Sequence, residues 1–193
     1  MQRTGLSCGS PVFTEESMEI RLLDPLTRRT TDWSGGTTTE LFLFPEGGSY
    51  AERRFSFRIS SAVIRVPESR FTALPGVTRF LTPLSDGFYL RRNGAWSYLA
   101  RGKVLEFSGD EEIVSRGLGR DLNLMLNGVH GSMRIVYSGE AAFTPHAFLF
   151  LYCPEETDVS GTVFPADSFL RLYPNGDKIL SVSRPSVLFT IDL

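Results

Sequence analysis

Apolar residues along this chain alternate with polar ones or gather in short continuous runs, and almost no stretch carries the period of an amphipathic helix. Runs rich in Val, Ile, Phe, Leu and Tyr return at short intervals, broken by Gly, Pro, Asn and Asp. This pattern predicts strands over residues 18–23, 38–44, 55–66, 79–84, 87–92, 96–99, 104–107, 113–115, 121–127 and 133–137. Further strands are predicted over 147–153, 161–164, 168–172, 178–182 and 187–191. Turn signals stand between them at Glu46-Gly47-Gly48, Arg92-Asn93-Gly94, Ser108-Gly109-Asp110 and Pro174-Asn175-Gly176-Asp177. Many short strands at regular spacing imply an all-β sandwich or barrel.

A weak internal repeat refines that expectation. Tyr98 to Arg116 and Val163 to Ser183 each run strand, polar turn, strand with an aromatic, Gly-Asp turn, strand. Two tandem jelly-roll units are one reading, and chance likeness between hairpins is the other. The tandem reading divides the chain into a loose tail over 1–16, a larger unit over 17–129 and a smaller β unit over 130–193. The tail is expected from its Gly, Ser and Thr content.

Composition narrows the function classes. The chain has 193 residues, 41% hydrophobic and 22% charged, with a net charge of −2. That balance points to neither a nucleic-acid nor a membrane-surface partner. Of 20 basic residues only Lys103 and Lys178 are lysine. Arg makes planar, bidentate contacts with carboxylates that Lys cannot make, although base composition of the genome also trades Lys for Arg. Cys8 and Cys153 are the only cysteines, too few for a disulfide framework, so both are read as free thiols in a reducing compartment, the cytoplasm. No apolar run is long enough to span a bilayer, and residues 1–13 lack the apolar core of a signal peptide.

Strand alternation then picks out candidate chemistry. In 57–62 it sends Arg58, Ser60 and Ala62 to one face and Phe57, Ile59 and Ser61 to the other. Arg58 and Ser60 suit a wet barrel interior, or the solvent. Asp121 and Asn123 share a face opposite Leu122, Leu124 and Leu126, and they too face either a cavity or the solvent. Arg79, after the turn Pro75-Gly76-Val77-Thr78, is placed at a barrel mouth, where it reaches an anion or pairs with a loop carboxylate. Gly35 and Gly36 leave backbone N–H groups open to an anion, or make an ordinary tight turn. Glu40 ends the Thr run beside them, and Trp33 either walls a site or plugs the barrel end.

Metal and nucleophile chemistry find little support. His130 and His146 are the only histidines, and neither has a partner at ligand spacing. No metal or other cofactor is expected. No Gly-x-Ser-x-Gly elbow is present.

Four segments taken together resemble the HutD/Ves family. They are Trp33-Ser34-Gly35-Gly36-Thr37-Thr38-Thr39-Glu40-Leu41, Phe57-Arg58-Ile59-Ser60-Ser61-Ala62, Phe71-Thr72-Ala73-Leu74-Pro75-Gly76-Val77-Thr78-Arg79, and Phe107-Ser108-Gly109-Asp110 with Gly119-Arg120-Asp121-Leu122-Asn123-Leu124-Met125. The likeness runs from about Met18 to Gly128. Glu40 stands closer to Trp33 than in the common family form, and the Asn of that form is absent here. The resemblance implies an RmlC-like cupin jelly roll, bicupin-like with its smaller second unit. It also implies an association with histidine-utilisation genes, a role in sensing or buffering a pathway metabolite, and no firmly assigned catalysis.

On this reading the chain is a non-catalytic cupin that binds a small anionic amino-acid metabolite, formylglutamate-like. Trp33, Gly35, Gly36, Glu40, Arg58, Ser60, Arg79, Asp121 and Asn123 are the expected ligand-binding residues. The runner-up is a metal-independent isomerase or lyase using Glu40 or Asp121 as general base. A protein-interaction module is third, and a homodimer is left open.

Overall fold

The computed structural model describes residues 18–193, so the expected tail over 1–16 and Cys8 lie outside the described residues. Of the described residues 62% are strand, and the helical turn among them is a short 3₁₀ segment, Pro25–Thr27, capped by the Asp24 carboxylate. In chain order the first strands are β1 (Glu19–Leu22), β2 (Arg29–Trp33), β3 (Gly36–Phe44), β4 (Phe57–Ile64), β5 (Glu68–Arg70) and β6 (Val77–Pro83). Then come β7 (Gly87–Arg92), β8 (Ala95–Ala100), β9 (Leu105–Ser108), β10 (Ile113–Arg116), β11 (Gly119–Asn127), β12 (His130–Val136) and β13 (Gly139–Phe143). The last are β14 (Phe148–Cys153), β15 (Thr157–Val159), β16 (Thr162–Phe164), β17 (Ser168–Tyr173), β18 (Lys178–Val182) and β19 (Ser186–Asp192).

These strands form four antiparallel sheets that stack as layers. A 4-stranded sheet, β5-β10-β7-β8, faces a 6-stranded sheet, β2-β3-β4-β11-β6-β9. A 5-stranded sheet, β1-β17-β14-β19-β12, faces a second 4-stranded sheet, β13-β18-β15-β16. The two pairs meet back to back. Leu122, Leu124 and Leu126 of β11 and Phe57 and Ile59 of β4 pack against Phe148, Phe150, Phe169 and Phe189 of the 5-stranded sheet. Ring contacts knit this seam, with Phe42 4.8 Å from Phe150 and Phe57 4.9 Å from Phe148, centroid to centroid. Aromatic pairs at such spacing contribute about 0.5–1.5 kcal/mol beyond the area they bury.

The seam explains why β14 is apolar at every position. Phe148, Phe150 and Tyr152 point into it, while Leu149, Leu151 and Cys153 point the other way. That second face joins Leu170, Leu180, Val182 and Leu188 in a dry core between the last two sheets. The C-terminal barrel is therefore filled with side chains. Between the first two sheets the filling is partial, with Leu81, Phe88, Leu90, Phe107 and Ile113 clustered toward one side.

One strand departs from the division expected from the sequence. β1 falls within the residues assigned to the larger unit, yet it pairs with β17 of the C-terminal sheet, Ile20 opposite Leu172. Its partly buried Ile20 packs against the dry core there, which the far edge of the 6-stranded sheet does not offer. Among the described residues no helix is long and apolar enough to cross a membrane.

Candidate functional site

Strand pairing aligns the polar positions of three neighbouring strands on the inner face of the 6-stranded sheet. Met125 of β11 pairs with Arg58 of β4 on one side and Arg79 of β6 on the other. Two residues along, Asn123 pairs with Ser60 and Leu81. Two further, Asp121 pairs with Ala62 and Pro83. Because side chains alternate, every one of these points away from the leucine seam and into the N-terminal barrel.

There they line a cavity of about 230 Å³. Arg58, Ser60, Arg79, Asp121, Asn123 and Met125 form one wall, with Ser69, Phe71 and Thr72 among the residues on the other. Trp33 and Thr31 line it from β2. At roughly 30 Å³ per water the space equals about eight waters, which suits a small metabolite and is less than a drug-sized pocket needs.

The two arginines are almost fully buried and held differently. Arg58 donates through Nε to Glu40 at 2.8 Å and through Nη1 to the Ser60 hydroxyl at 3.1 Å. Its guanidinium lies 4.3 Å from the centre of the Tyr50 ring. Arg79 donates through Nη1 to the Thr72 carbonyl at 3.1 Å and through Nη2 to Asn123 Oδ1 at 3.4 Å. It sits between the rings of Phe71 and Phe107, 5.2 and 5.1 Å from their centres. Its Nε is buried and has no partner among the described residues. Leaving a buried charged donor unmatched is costly, so such a donor is a strong candidate for a ligand contact.

Asp121 completes the set. Asn123 donates through Nδ2 to Asp121 Oδ1 at 2.7 Å, so the amide stands between the carboxylate and Arg79. Burial pushes the Asp121 carboxyl up to about 7, against the opposing pull of Arg79, the Ala62 N–H and Asn123. Burial also lowers the Arg79 guanidinium below its ordinary value, with Tyr50 and Asp121 pulling it back up and Arg58 adding to the fall. An arginine so shifted remains charged. Glu40 is thus matched to Arg58, while burial works against the charged form of Asp121.

The structure gathers most of the residues expected from the sequence and sets others aside. Trp33, Arg58, Ser60, Arg79, Asp121 and Asn123 all line the cavity. Glu40 stands behind Arg58 instead of on the wall, with a quarter of its side chain exposed. Gly35 and Gly36 also lie outside the wall. The Trp33 ring covers Gly35, and Gly36 is pressed so closely on β4 that a Cβ would meet the Val63 carbonyl oxygen at 1.8 Å. Gly35 makes room for the Trp33 ring, and Gly36 lets β3 approach β4. Arg79, expected at the barrel mouth, is instead 5% exposed, because β6 begins at Val77 and carries it inward.

Other residues at the site were not anticipated. Met125 follows from the same period as Asp121 and Asn123 and was legible on that ground. Tyr50 and Thr72 come from loops, where alternation gives no signal. Elsewhere His146 Nδ1 lies 2.9 Å from Asp192 and His130 begins β12. Among the described residues no three His, Cys, Asp or Glu gather as a metal site.

Comparison with known proteins agrees with this architecture. HutD from Pseudomonas fluorescens SBW25 superposes with a TM-score of 0.75 over 90% of this chain and 98% of its own, at 23% identity. A conserved protein of unknown function from Pseudomonas aeruginosa PAO1 gives a TM-score of 0.72 over 91% and 100%, at 21% identity. Ylba from E. coli gives 0.62 over 90% of both chains, at 10% identity. At these identities the likeness establishes the fold. No functionally curated protein matches the chain. The HutD family model, however, matches residues 26–167, well over half of the sequence, and the chain belongs to the HutD family.

Proposed function

We propose that this protein is a non-catalytic cupin of HutD type that binds a small anionic amino-acid metabolite in its N-terminal barrel. The observation that carries the reading is the buried pair Arg58 and Arg79 on one cross-strand row, with Arg79 Nε unmatched. A ligand carboxylate between the guanidiniums supplies the missing acceptor, and buried polar groups left unpaired penalise a ligand that cannot. The family name points toward histidine breakdown, in which formylglutamate is an acylated, anionic amino acid of suitable size. Sensing or buffering such a compound needs affinity without turnover.

The test is thermal unfolding with N-formylglutamate and with its uncharged diamide. A ligand at about 100 times its dissociation constant stabilises the fold by about 2.7 kcal/mol. Stabilisation by the acid and none by the diamide supports the reading, and no shift with any small carboxylate removes it.

A second reading rests on Asp121, whose carboxyl at about 7 lies in the range suited to a general base. A metal-independent isomerase or lyase would use it to take a proton from a carboxylate-anchored substrate. Glu40, engaged by Arg58, is less free for that task. Consumption of ligand with a rate that rises through pH 7 and vanishes in Asp121→Asn would favour the enzyme.

A further inference from the structure

The dry filling of the C-terminal barrel stops short of one end. On the inner face of β12 and β19, Val136 and Leu188 belong to the core. Alternation then brings Arg134, Ser132 and Thr190 to the same face, all three half-buried. On the opposing sheet Phe143 and Lys178 pair at the corresponding end of β13 and β18. Between the two sheets lies a recess of about 740 Å³, lined in part by these residues and by His146 from the loop after β13. That volume falls within the range of small-molecule clefts. The recess shares no lining residue with the cavity of the N-terminal barrel.

Its charges do not cancel. Arg134 crosses the mouth from one sheet to the other and donates through Nη2 to the Ala142 carbonyl at 3.0 Å. Among the described residues that neutral group is its partner, and no carboxylate pairs with it. The acidic groups nearby are matched. Asp192 accepts from the Ala147 N–H at 3.2 Å and lies 2.9 Å from His146 Nδ1, and His146 holds its carboxyl below the ordinary value. Asp177 stands in the lining beside Lys178, a charge of each sign. Arg134 is thus left as a cation without a counter-charge among the described residues. Ser132 Oγ and Thr190 Oγ1 lie 2.8 Å apart, so one O–H is engaged between them and the other is left over. Phe143 and Ile179 add apolar wall.

We propose that this recess is a second ligand site, and that it takes a small monoanion, a carboxylate borne on an apolar ring or chain. The Arg134 guanidinium offers the carboxylate a planar set of donors, and the hydroxyl pair adds one more hydrogen bond. The apolar part of the ligand lies against Phe143 and Ile179. A dicarboxylate would carry its second charge onto that wall, away from water and unpaired. The proposal does not depend on what the N-terminal cavity binds.

The experiment titrates isotopically labelled protein with phenylacetate and follows the amide NMR signals. Shifts are expected over residues 130–134, 142–147 and 188–192, with a dissociation constant of about 1 mM or tighter. Phenylacetamide, which lacks the charge, and acetate, which lacks the ring, should each bind at least about tenfold more weakly. Arg134→Gln keeps an N–H for the Ala142 carbonyl and should weaken phenylacetate by at least about tenfold. Shifts confined to residues 58–62 and 121–125 would place the ligand in the N-terminal cavity and overturn the second site. No shift up to about 10 mM would overturn it as well. Should Arg134→Gln not fold, the acid and its amide decide the matter in the unaltered protein, since equal affinity for the two removes the anion from the proposal. Equal affinity for acetate and phenylacetate removes the apolar body.

Discussion

Arg58 and Arg79 occupy one row of the 6-stranded sheet, each paired with Met125 of the strand between them. Neighbouring strands stand about 4.8 Å apart, so the two backbones are separated by a single strand while the guanidiniums converge on one cavity. On the proposed reading, a ligand carboxylate lies between the two forks.

The fork geometry gives the first prediction. Arg58→Ala should lower carboxylate affinity by at least about tenfold, and Arg58→Lys should not restore it, because a point-charge ammonium lacks the planar pair of donors. Calorimetric titration with N-formylglutamate measures both. Full affinity in Arg58→Lys would mean that charge alone is recognised.

Asp121 gives a prediction in pH. Its folded carboxyl lies near 7, above its ordinary value of 3.8. Between those values the folded state holds a proton that the unfolded state has released, so stability contributed by this group falls as pH rises through the window. The slope is at most about 1.4 kcal/mol per pH unit. Asp121→Asn has no such proton. Denaturant unfolding should show the variant gaining on the parent from about pH 4 to about pH 7 and holding a constant lead above that. A lead independent of pH would mean that Asp121 is ionised throughout.

The seam between the sheet pairs predicts cooperativity. Phe150 is fully buried and contacts Phe42, Phe57, Phe148 and Phe169. Phe150→Ala should cost about 3–5 kcal/mol, read by chemical denaturation. Since the seam is a core to both sheet pairs, the unfolding should remain one transition. Two separated transitions in the parent would show that the pairs fold independently.

Gly36 predicts an effect of close approach. Gly36→Ala places a methyl where the Val63 carbonyl already lies, and the β3–β4 pairing must shift at a cost of about 1–3 kcal/mol. Glu40, across from Ser60 on the same strand pair, would move with it. Both melting temperature and carboxylate affinity should fall, while Gly47→Ala, with nothing near its missing Cβ, spares affinity.

How much of this was legible follows from where burial imprints a pattern. The turn at Asn93-Gly94, with both residues at positive φ, and the two faces of β11 can be read directly from the sequence. Strands β2, β5, β13 and β15 were not foreseen. All of β2 is exposed, so no apolar alternation marks it, and β5 and β15 span 3 residues each. In β13 the buried face is Ala141 and Phe143 behind a Gly-Glu start, too little apolar surface to signal a strand. Glu40 was misplaced for a different reason. β3 shifts register between Glu40 and Phe42, so its alternation changes phase within the strand, and a period of two cannot be carried through. The Tyr50 and Thr72 contacts come from loops brought in by tertiary folding.

The pairing of β1 with β17 orders events in time as well as in space. On a growing polypeptide Ile20 emerges long before Leu172, and until the latter appears the earliest strand has no edge to join. Closing so long a loop is entropically expensive and slows folding. The 6-stranded sheet and its cavity contain nothing beyond Asn127, so all of their strands are made while their leucine face still lacks its cover. The last third of the chain then covers that face and captures the first strand, which makes the beginning of the described chain the final piece to settle.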